Sequence, residues 1–311
     1  MRSANLITVL GIVFAAACSE TTSPPMATAC FVATGQVDEV WVAGGEFEMG
    51  SDEQPEERPR RKVRLDGFWM DRTEVTNAQF AAFVSATAYV TVAERQPLAA
   101  DNPDVPADRL VKGSAVFSRS DRGWSYVPGA DWRHPEGPGS GIRDRMHHPV
   151  VHVAYADALA YAAWLGRELP TEAQWERAAR GGVEGELYIW GDEAYPDGEQ
   201  RANTWQGMFP FQDEGRDGYA GTAPVGCFAA NEFGLFDMAG NVWEWTQSHY
   251  DNSASSSAAR TVRGGSHLCA PNFCSRFRPA ARQPGDPSIG TNHIGFRTVR
   301  LENSARDTRD P

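Results

Sequence analysis

The clearest pattern in this chain is an apolar repeat at helical spacing. Phe80 and Phe83 lie about one turn apart and follow Thr76, which stands three residues before Gln79. A threonine and a glutamine at this spacing form a capping box, in which each side chain bonds to the other residue's backbone N–H. The pattern therefore predicts a helix over residues 76–86.

Two more helices are predicted further along the chain. One should begin near Asp157, because a carboxylate in the first turn complements the positive end of the helix dipole. The other should cover residues 171–180, because Thr171 and Gln174 repeat the capping-box spacing and Gly181 is a helix-ending signal. All three predicted helices are short.

The strand signals lie mainly before the first helix. Apolar and polar residues alternate over residues 40–49, on either side of Gly44 and Gly45, which predicts a hairpin, and a further strand is predicted over residues 62–70. Residues 93–149 show no clean period and are rich in Gly, Pro and Trp. A loop of this length in a compact domain is usually functional or disordered, and the aromatic residues here favour a functional segment.

Composition limits how much regular structure the chain can form. The 311 residues include 30 Gly, 20 Pro and 10 Trp, which disfavours long helices and regular sheets while leaving aromatic side chains to fill a core. We therefore expect a single loop-rich α+β domain over residues 37–302, and a monomer. The net charge of −12 leaves no basic face for phosphates, which argues against nucleic acid and anionic membrane surfaces as partners.

The N-terminal residues have the features of an export signal. A short apolar run within residues 1–17 suits a signal peptide and is too short to span a bilayer. Cys18 after three alanines resembles a lipoprotein site, and residues 18–36 have the composition of a flexible tether. The protein would then lie on the periplasmic side of the outer membrane, whereas ordinary cleavage after Ala17 would give a soluble periplasmic or secreted protein. We expect a disordered tail over residues 303–311.

Two cysteines near the C-terminus are the main candidates for chemistry. Cys269 and Cys274 are separated by four residues and are followed by Arg276 and Arg278. Three interpretations fit this spacing in an exported protein: a local disulfide, a two-thiolate clamp for a soft metal such as Cu(I), and a redox-active dithiol whose pKa the arginines lower. Zinc is disfavoured, because it usually takes four ligands and no second Cys or His pair lies nearby in the sequence.

The remaining cysteines of the mature chain are Cys30 and Cys227. They can form a structural disulfide in an oxidising compartment, or they can be two unpaired thiols. The sequence does not decide between these alternatives, because spacing never fixes connectivity.

Eight motifs between Gly44 and Arg300 carry a family resemblance. They are GGEFEMGS (44–51), DRTEVTNAQFAAFV (71–84), DWRHPEGP (131–138), HPVVHV (148–153), GRELPTEAQWERAARGG (166–182), GLFDMAGNVWEW (234–245), RGGS (263–266) and GFR (295–297). With these motifs the chain resembles the formylglycine-generating enzymes, the sulfatase-modifying factors that oxidise a sulfatase cysteine to Cα-formylglycine. The resemblance implies their fold, which is similar to that of C-type lectins.

The resemblance also implies a set of catalytic residues. Cys269 and Cys274 would jointly hold one Cu(I), with Ser266 as a further active-site residue, and a disulfide between the thiols would be an oxidised resting form. The implied reaction uses O2 to remove a Cβ hydrogen from a cysteine in a CxPxR-type motif of an unfolded sulfatase polypeptide, which gives a thioaldehyde that hydrolyses to the aldehyde. Ala270 and Phe273 stand where active relatives often carry His and Tyr, which leaves rate and substrate preference open.

Two calcium sites on irregular loops are implied in the same way. The first would take the side chains of Asn203 and Asp217 with the backbone carbonyls of Thr204 and Tyr219, and the second the side chains of Asp237 and Glu244 with the carbonyls of Gly240 and Val242. Ca2+ takes hard oxygen ligands of this kind. The alternative is that the aspartates only cap turns.

A second class of function stays open at this point, namely a noncatalytic binding or motility lipoprotein of the same fold. The presence of both cysteines favours the enzyme, because inactive paralogues lack them. An ergothioneine-type iron enzyme would require a His-rich helical domain before this one, and residues 19–43 leave no room for it.

Overall fold

The computed structural model describes residues 30–31, 38–100, 103–251, 255 and 258–302. The strands in this part of the chain are β1 (Glu39–Val42), β2 (Gly45–Met49), β3 (Arg61–Leu65), β4 (Phe68–Asp71), β5 (Gly113–Ser118), β6 (Gly123–Pro128), β7 (Trp243–His249), β8 (Arg260–Arg263), β9 (Arg282–Gly285), β10 (Ile294–Gly295) and β11 (Val299–Leu301). The α-helices are α1 (Asn77–Thr87), α2 (Tyr155–Trp164) and α3 (Glu172–Arg180). The predicted signal peptide, most of the tether and the tail lie outside the described residues.

All three predicted helices are present, and their ends follow local chemistry. Thr76 Oγ1 accepts the N–H of Gln79 at 3.2 Å, while Gln79 Oε1 accepts the N–H of Thr76 at 2.8 Å. Helix α3 begins with the same capping box and ends at Gly181, which adopts a left-handed φ of 62°. In α2 the Asp157 carboxylate accepts the N–H of Ala154 at 2.9 Å. These bonds satisfy donors that a helix start leaves unpaired.

The predicted hairpin over residues 40–49 is wrong. Both strands form, but β1 pairs with β4 and β2 pairs with β3, each antiparallel. Instead of turning, the chain at Gly44 lies directly against the β3–β4 connection. A Cβ at position 44 would lie 2.6 Å from the backbone nitrogen of Gly67, so only glycine fits there. That connection also divides the predicted strand over residues 62–70 into two strands.

Two larger sheets carry the core. One has the order β1-β4-β11 and is antiparallel, and the other has the order β10-β7-β8-β9 with β10 parallel to β7. Between the helices and the second sheet, fully buried aromatic side chains fill the main core; they include Phe80, Trp132, Tyr161, Trp243 and Trp245. The expected α+β fold with little regular structure is confirmed. Residues 93–149, expected to be a long loop, contain the β5–β6 hairpin.

Cys30 and Cys227 form a disulfide, so the structural bridge is the correct alternative for this pair. Beside it, Phe31 donates its N–H to the carbonyl of Gly226 at 2.8 Å and stacks on Phe236 at 5.0 Å. Disulfides persist in oxidising compartments, which agrees with an extracytoplasmic location. Within the described ranges, no helix has the length and apolar character needed to cross a membrane.

Candidate active site

Residues 264–278, which we call the site loop, follow the last residue of β8. That residue, Arg263, is fully buried, and its guanidinium contacts Glu172 at 2.9 Å and Glu176 at 2.6 Å, both on α3. The same guanidinium donates to the carbonyl of Pro279 at 2.6 Å, just beyond the end of the loop. Helix α3 therefore fixes both ends of the site loop through one side chain.

The start of the site loop requires glycine. Gly264 and Gly265 have φ angles of 95° and 79°, which side-chain-bearing residues rarely adopt. A Cβ on Gly264 would lie 3.0 Å from the Trp175 ring, and a Cβ on Gly265 would lie 3.0 Å from the carbonyl oxygen of Arg276. The two halves of the loop pack together here, which explains the RGGS motif physically.

A tight turn brings the two candidate cysteines together. The carbonyl of Ala270 accepts the N–H groups of Cys274 and Ser275, each at 2.9 Å, so that the chain folds back on itself after Cys269. The two thiols are close enough for each to shift the pKa of the other. Both are free thiols in the structure, so the local disulfide is not formed.

The two thiols differ in acidity. Burial raises the pKa of Cys269 well above its usual value. The pKa of Cys274 is lowered, chiefly by the hydrogen bond with Cys269 and further by the backbone N–H and guanidinium of Arg276. Arg278, the other arginine expected to act on the thiols, forms a buried ion pair with Glu57 instead. The arrangement favours a thiolate at Cys274 and a thiol at Cys269.

Ser266 is fully buried next to this pair. Its Oγ accepts the N–H of Leu268 at 3.2 Å, and its carbonyl accepts the N–H of Cys269 at 2.8 Å. The serine thus satisfies backbone donors in the turn and also lies in the wall of the cavity that the thiols face.

The thiols open into a cavity of about 530 Å³, which we call the thiol cavity. Its lining includes Ala115, Trp124, Trp243, Ser266, Cys269, Phe273, Cys274, Arg276, Pro284, Asp286, Ile289 and His293. Phe273 is 65% exposed and stacks on Phe209 with ring centroids 4.2 Å apart. The cavity therefore combines a polar reactive end with aromatic side chains that are open to solvent.

His293 is a residue of the thiol cavity that the sequence analysis missed. Its Nδ1 lies 2.6 Å from Thr291 Oγ1, and its ring packs against Trp124 at 4.8 Å. Burial lowers its pKa to about 3, so the imidazole is neutral at physiological pH. In the sequence, His293 is an isolated histidine two residues before the GFR motif, and nothing in its spacing predicts that it lines the cavity.

The four residues of the first predicted calcium site lie together. Asp217 accepts the N–H of Thr204 at 3.1 Å and the N–H of Tyr219 at 3.0 Å, one on each carboxylate oxygen. Asn203 donates to Asn241 Oδ1 at 3.0 Å. Burial raises the pKa of Asp217, and this effect outweighs the hydrogen bonds that the carboxylate accepts from Tyr219, Gln206 and Thr204. An aspartate that only caps a turn would accept the same two backbone hydrogen bonds.

The second predicted site is more strongly charged. Both oxygens of Glu244 accept from Arg297, at 2.7 and 2.8 Å, in a fully buried ion pair. Asp237 lies nearby and accepts the N–H of Gly226 at 2.6 Å. The carbonyls of Gly240 and Val242 belong to the connection between these two carboxylates.

Glu74 is an acidic residue at this site that the sequence analysis did not single out. It is fully buried, its Oε1 accepts from Asn241 Nδ2 at 3.1 Å, and its Oε2 has no hydrogen-bond donor among the described residues. It lies beside Asp237, and burial raises the pKa of Glu74 well above its usual value and that of Asp237 to about 6. Three carboxylates thus share one arginine, Arg297.

At neither predicted calcium site do acidic side chains of the described residues alone surround a metal position. In the part of the chain that the structure describes, no three His, Cys, Asp or Glu side chains converge in metal-binding geometry. A cation at either predicted calcium site would therefore take most of its ligands from backbone carbonyls, amide oxygens or water.

Known proteins are similar to this chain over most of its length. Residues 31–302 match the family described as sulfatase-modifying factor enzyme 1-like domain. The formylglycine-generating enzyme of Mycobacterium tuberculosis is 50% identical over 286 residues, covering 82% of this chain and 95% of that protein. A Bos taurus relative named inactive C-alpha-formylglycine-generating enzyme 2 is 40% identical over 267 residues, covering 84% and 87%. The structure of PvdO from Pseudomonas aeruginosa aligns with a TM-score of 0.60 at 26% identity, covering 86% of this chain and 95% of that one.

The loop-rich α+β fold and the paired thiols define an oxidoreductase of the formylglycine-generating type, as predicted. The chain belongs to the sulfatase-modifying factor family.

The contact between Arg276 and Cys274 gives a prediction about thiol reactivity. Replacing Arg276 by Met should raise the pKa of Cys274, because the guanidinium stabilises the thiolate. The alkylation of Cys274 by iodoacetamide, followed by peptide mass spectrometry, should then move to higher pH by about one pH unit. Cys269 should stay slow to react, because it is buried.

The matched control is Arg60→Met, which removes a surface arginine paired with Glu48 and Asp52. This variant should keep the wild-type alkylation profile. An unchanged profile in Arg276→Met would show that the guanidinium does not act on the thiolate.

Proposed function

We propose that the protein uses O2 to oxidise a cysteine in a CxPxR-type sequence of an unfolded sulfatase polypeptide to Cα-formylglycine. The observation that carries the proposal is that Cys269 and Cys274 line the same open cavity and are close enough to shift each other's pKa. The half-identical relative from Mycobacterium tuberculosis, which bears the name of this activity, supports it.

The donor set at the cavity suits Cu(I). Two adjoining thiols, one of them acidified, are soft ligands, and soft thiolates select Cu(I) over hard cations. Cys269 and Cys274 would hold the ion, which would supply the redox chemistry that side chains lack. Zinc would need further ligands, and no third Cys, His or carboxylate joins the pair within the described residues.

The chain's own residues prepare the site for this chemistry. Arg276 stabilises the Cys274 thiolate, so that a soft donor forms at lower pH than from an ordinary thiol. The substrate cysteine would enter past Trp124 and Phe273, two exposed aromatic residues that line the cavity. Two hydrogens leave the substrate Cβ and thiol groups, with O2 as the electron acceptor. Water then replaces sulfur at the resulting thioaldehyde, which releases hydrogen sulfide and leaves the aldehyde.

A peptide containing a CxPxR-type sequence tests this function directly. Incubated in air with the copper-loaded protein, it should show the mass change from cysteine to formylglycine. A Cys274→Ser variant leaves one thiolate, so it should lose this activity and also lose stoichiometric Cu(I) in competition with a chelator.

Pro271→Ala changes an exposed residue of the same loop and serves as the control, with copper and activity expected at wild-type levels. Tight Cu(I) in Cys274→Ser would contradict the two-thiolate site. An unmodified peptide after incubation with copper-loaded wild-type protein would favour the noncatalytic binding protein.

We further propose that the protein binds Ca2+ on two loops. The ligands would be Asn203, Thr204, Asp217 and Tyr219 at the first site, and Asp237, Gly240, Val242 and Glu244 at the second. Supporting the second site, Glu74 adds a buried carboxylate oxygen without a donor in the described chain, and Arg297 alone does not neutralise three carboxylates. A divalent cation would supply the missing charge.

Removing Ca2+ should lower thermal stability, because an ion that binds only the folded state stabilises it by mass action. At free Ca2+ about 100-fold above Kd, each site contributes about 2.7 kcal/mol. Calorimetry with and without millimolar Ca2+ measures this stabilisation. The Asp217→Asn variant should lose the stabilisation that the first site contributes. Mg2+ at the same concentration is the control, since it prefers tighter octahedral sites. An identical Tm with and without Ca2+ would show that the aspartates only cap turns.

We also propose that the mature protein is a lipoprotein anchored through Cys18 and facing the periplasm from the outer membrane. The Cys30–Cys227 disulfide supports export, and the Ala-Ala-Ala-Cys sequence supports lipidation. Mass spectrometry of the mature N-terminus should find a diacylated or triacylated Cys18. An unmodified start at Cys18 in the soluble fraction would exclude the anchor.

A further inference from the structure

A second cavity lies beside the thiol cavity on the same face of the β5–β6 hairpin. Side chains on a strand alternate between faces, and in this hairpin Ala115 pairs with Tyr126. Ala115 and Trp124 line the thiol cavity, whereas Gly113 and Tyr126 line a neighbouring cavity of about 630 Å³, which we call the hairpin cavity. The hairpin therefore presents one continuous wall to both.

The opposite wall is also shared. Ile289 lines both cavities, with Asp286 on the thiol side and Gly290 on the hairpin side. A further cavity, lined by Ser125 and Val127, uses the other face of the hairpin. The thiol cavity and the hairpin cavity thus adjoin at Ile289, and the hairpin cavity follows the thiol cavity along β6, away from the reactive cysteines.

The hairpin cavity is suited to an apolar occupant. Its polar side chains already have partners within the protein: Arg95 donates to the backbone carbonyl of residue 90 at 2.6 Å, Gln96 donates to the carbonyl of residue 110, and Tyr126 donates to the carbonyl of residue 111 at 2.8 Å. The rest of the lining is mainly apolar and includes Val92, Ala93, Pro97, Leu98 and Ile289. Leu98 is 63% exposed, so an occupant that covers it removes apolar surface from water.

We propose that the hairpin cavity is a substrate subsite that binds an apolar side chain of the polypeptide whose cysteine enters the thiol cavity. The subsite rests on the proposed function, because it assumes a polypeptide substrate. Trp124 and Tyr126 are two residues apart on an extended strand, a distance of about 7 Å. A substrate chain extended alongside β6 advances two residues over that distance, so the bound side chain lies at least two positions from the reactive cysteine.

Binding of a non-reacting peptide tests the subsite without copper or turnover. The probe is a fluorescent peptide in which serine replaces the reactive cysteine of the CxPxR-type sequence and the Pro and Arg stay in place. Leucine or serine is placed in turn at each position two to four residues before the serine and at the free position three residues after it. Fluorescence anisotropy should show that leucine at one of these positions tightens binding roughly three- to tenfold. Leu98→Ser should abolish that gain.

The matched control is Leu159→Ser, which changes another exposed leucine, on α2, that lines neither cavity. It should preserve the gain. Equal binding of all peptides, no binding of any peptide, or a gain that survives in Leu98→Ser would each overturn the subsite. A change in sedimentation of Leu98→Ser without peptide would also overturn it, because the cavity would then be covered by a second copy of the chain.

Failure of the subsite and failure of the proposed function give different results. A peptide that binds with the leucine gain, but whose cysteine-containing parent is not oxidised by the copper-loaded protein, supports the subsite and overturns the oxidation. A parent peptide that is oxidised without any leucine preference overturns the subsite alone.

Discussion

The position of the reactive loop depends on one buried cation. Arg263 has no access to solvent, so its charge is stable only with both glutamates of α3 beside it. The two partners, Glu172 and Glu176, lie one turn apart on a helix whose first turn is fixed by a capping box. Because the loop leaves β8 at this arginine and returns past its guanidinium, local helix-capping chemistry determines where the two thiols come to lie.

The two thiols of the site differ in acidity. Cys269 is held in a dry environment that keeps its proton, whereas Cys274 has an arginine and the neighbouring thiol to stabilise its charge. A pair in which only one member is acidified holds less negative charge before a cation arrives, and so costs less to bury. The same restraint on charge acts around Glu74 and Asp237, where burial raises both pKa values and so disfavours further negative charge beside the single cation Arg297.

Features with a local physical origin could be predicted from the sequence, and features made by distant contacts could not. The starts of α1 and α3 follow from capping boxes whose two partners are three residues apart, and the cysteine pair from spacing within one turn. Alternation over residues 40–49 identified two strands but not their partners, because pairing is decided elsewhere in the chain. Glu74 was missed for the same reason, since its hydrogen-bond partner, Asn241, lies 167 residues away.

The Cys30–Cys227 disulfide determines how the domain carries mechanical load. Tension applied to the chain before Cys30 reaches the folded body through a covalent bond at Cys227, not through the backbone hydrogen bonds of β1. The neighbouring Gly226 N–H is bonded to Asp237, so the force enters beside a buried charged cluster rather than at a sheet edge. A domain held by its N-terminus against flow or against a moving substrate would therefore resist peeling of its first strand.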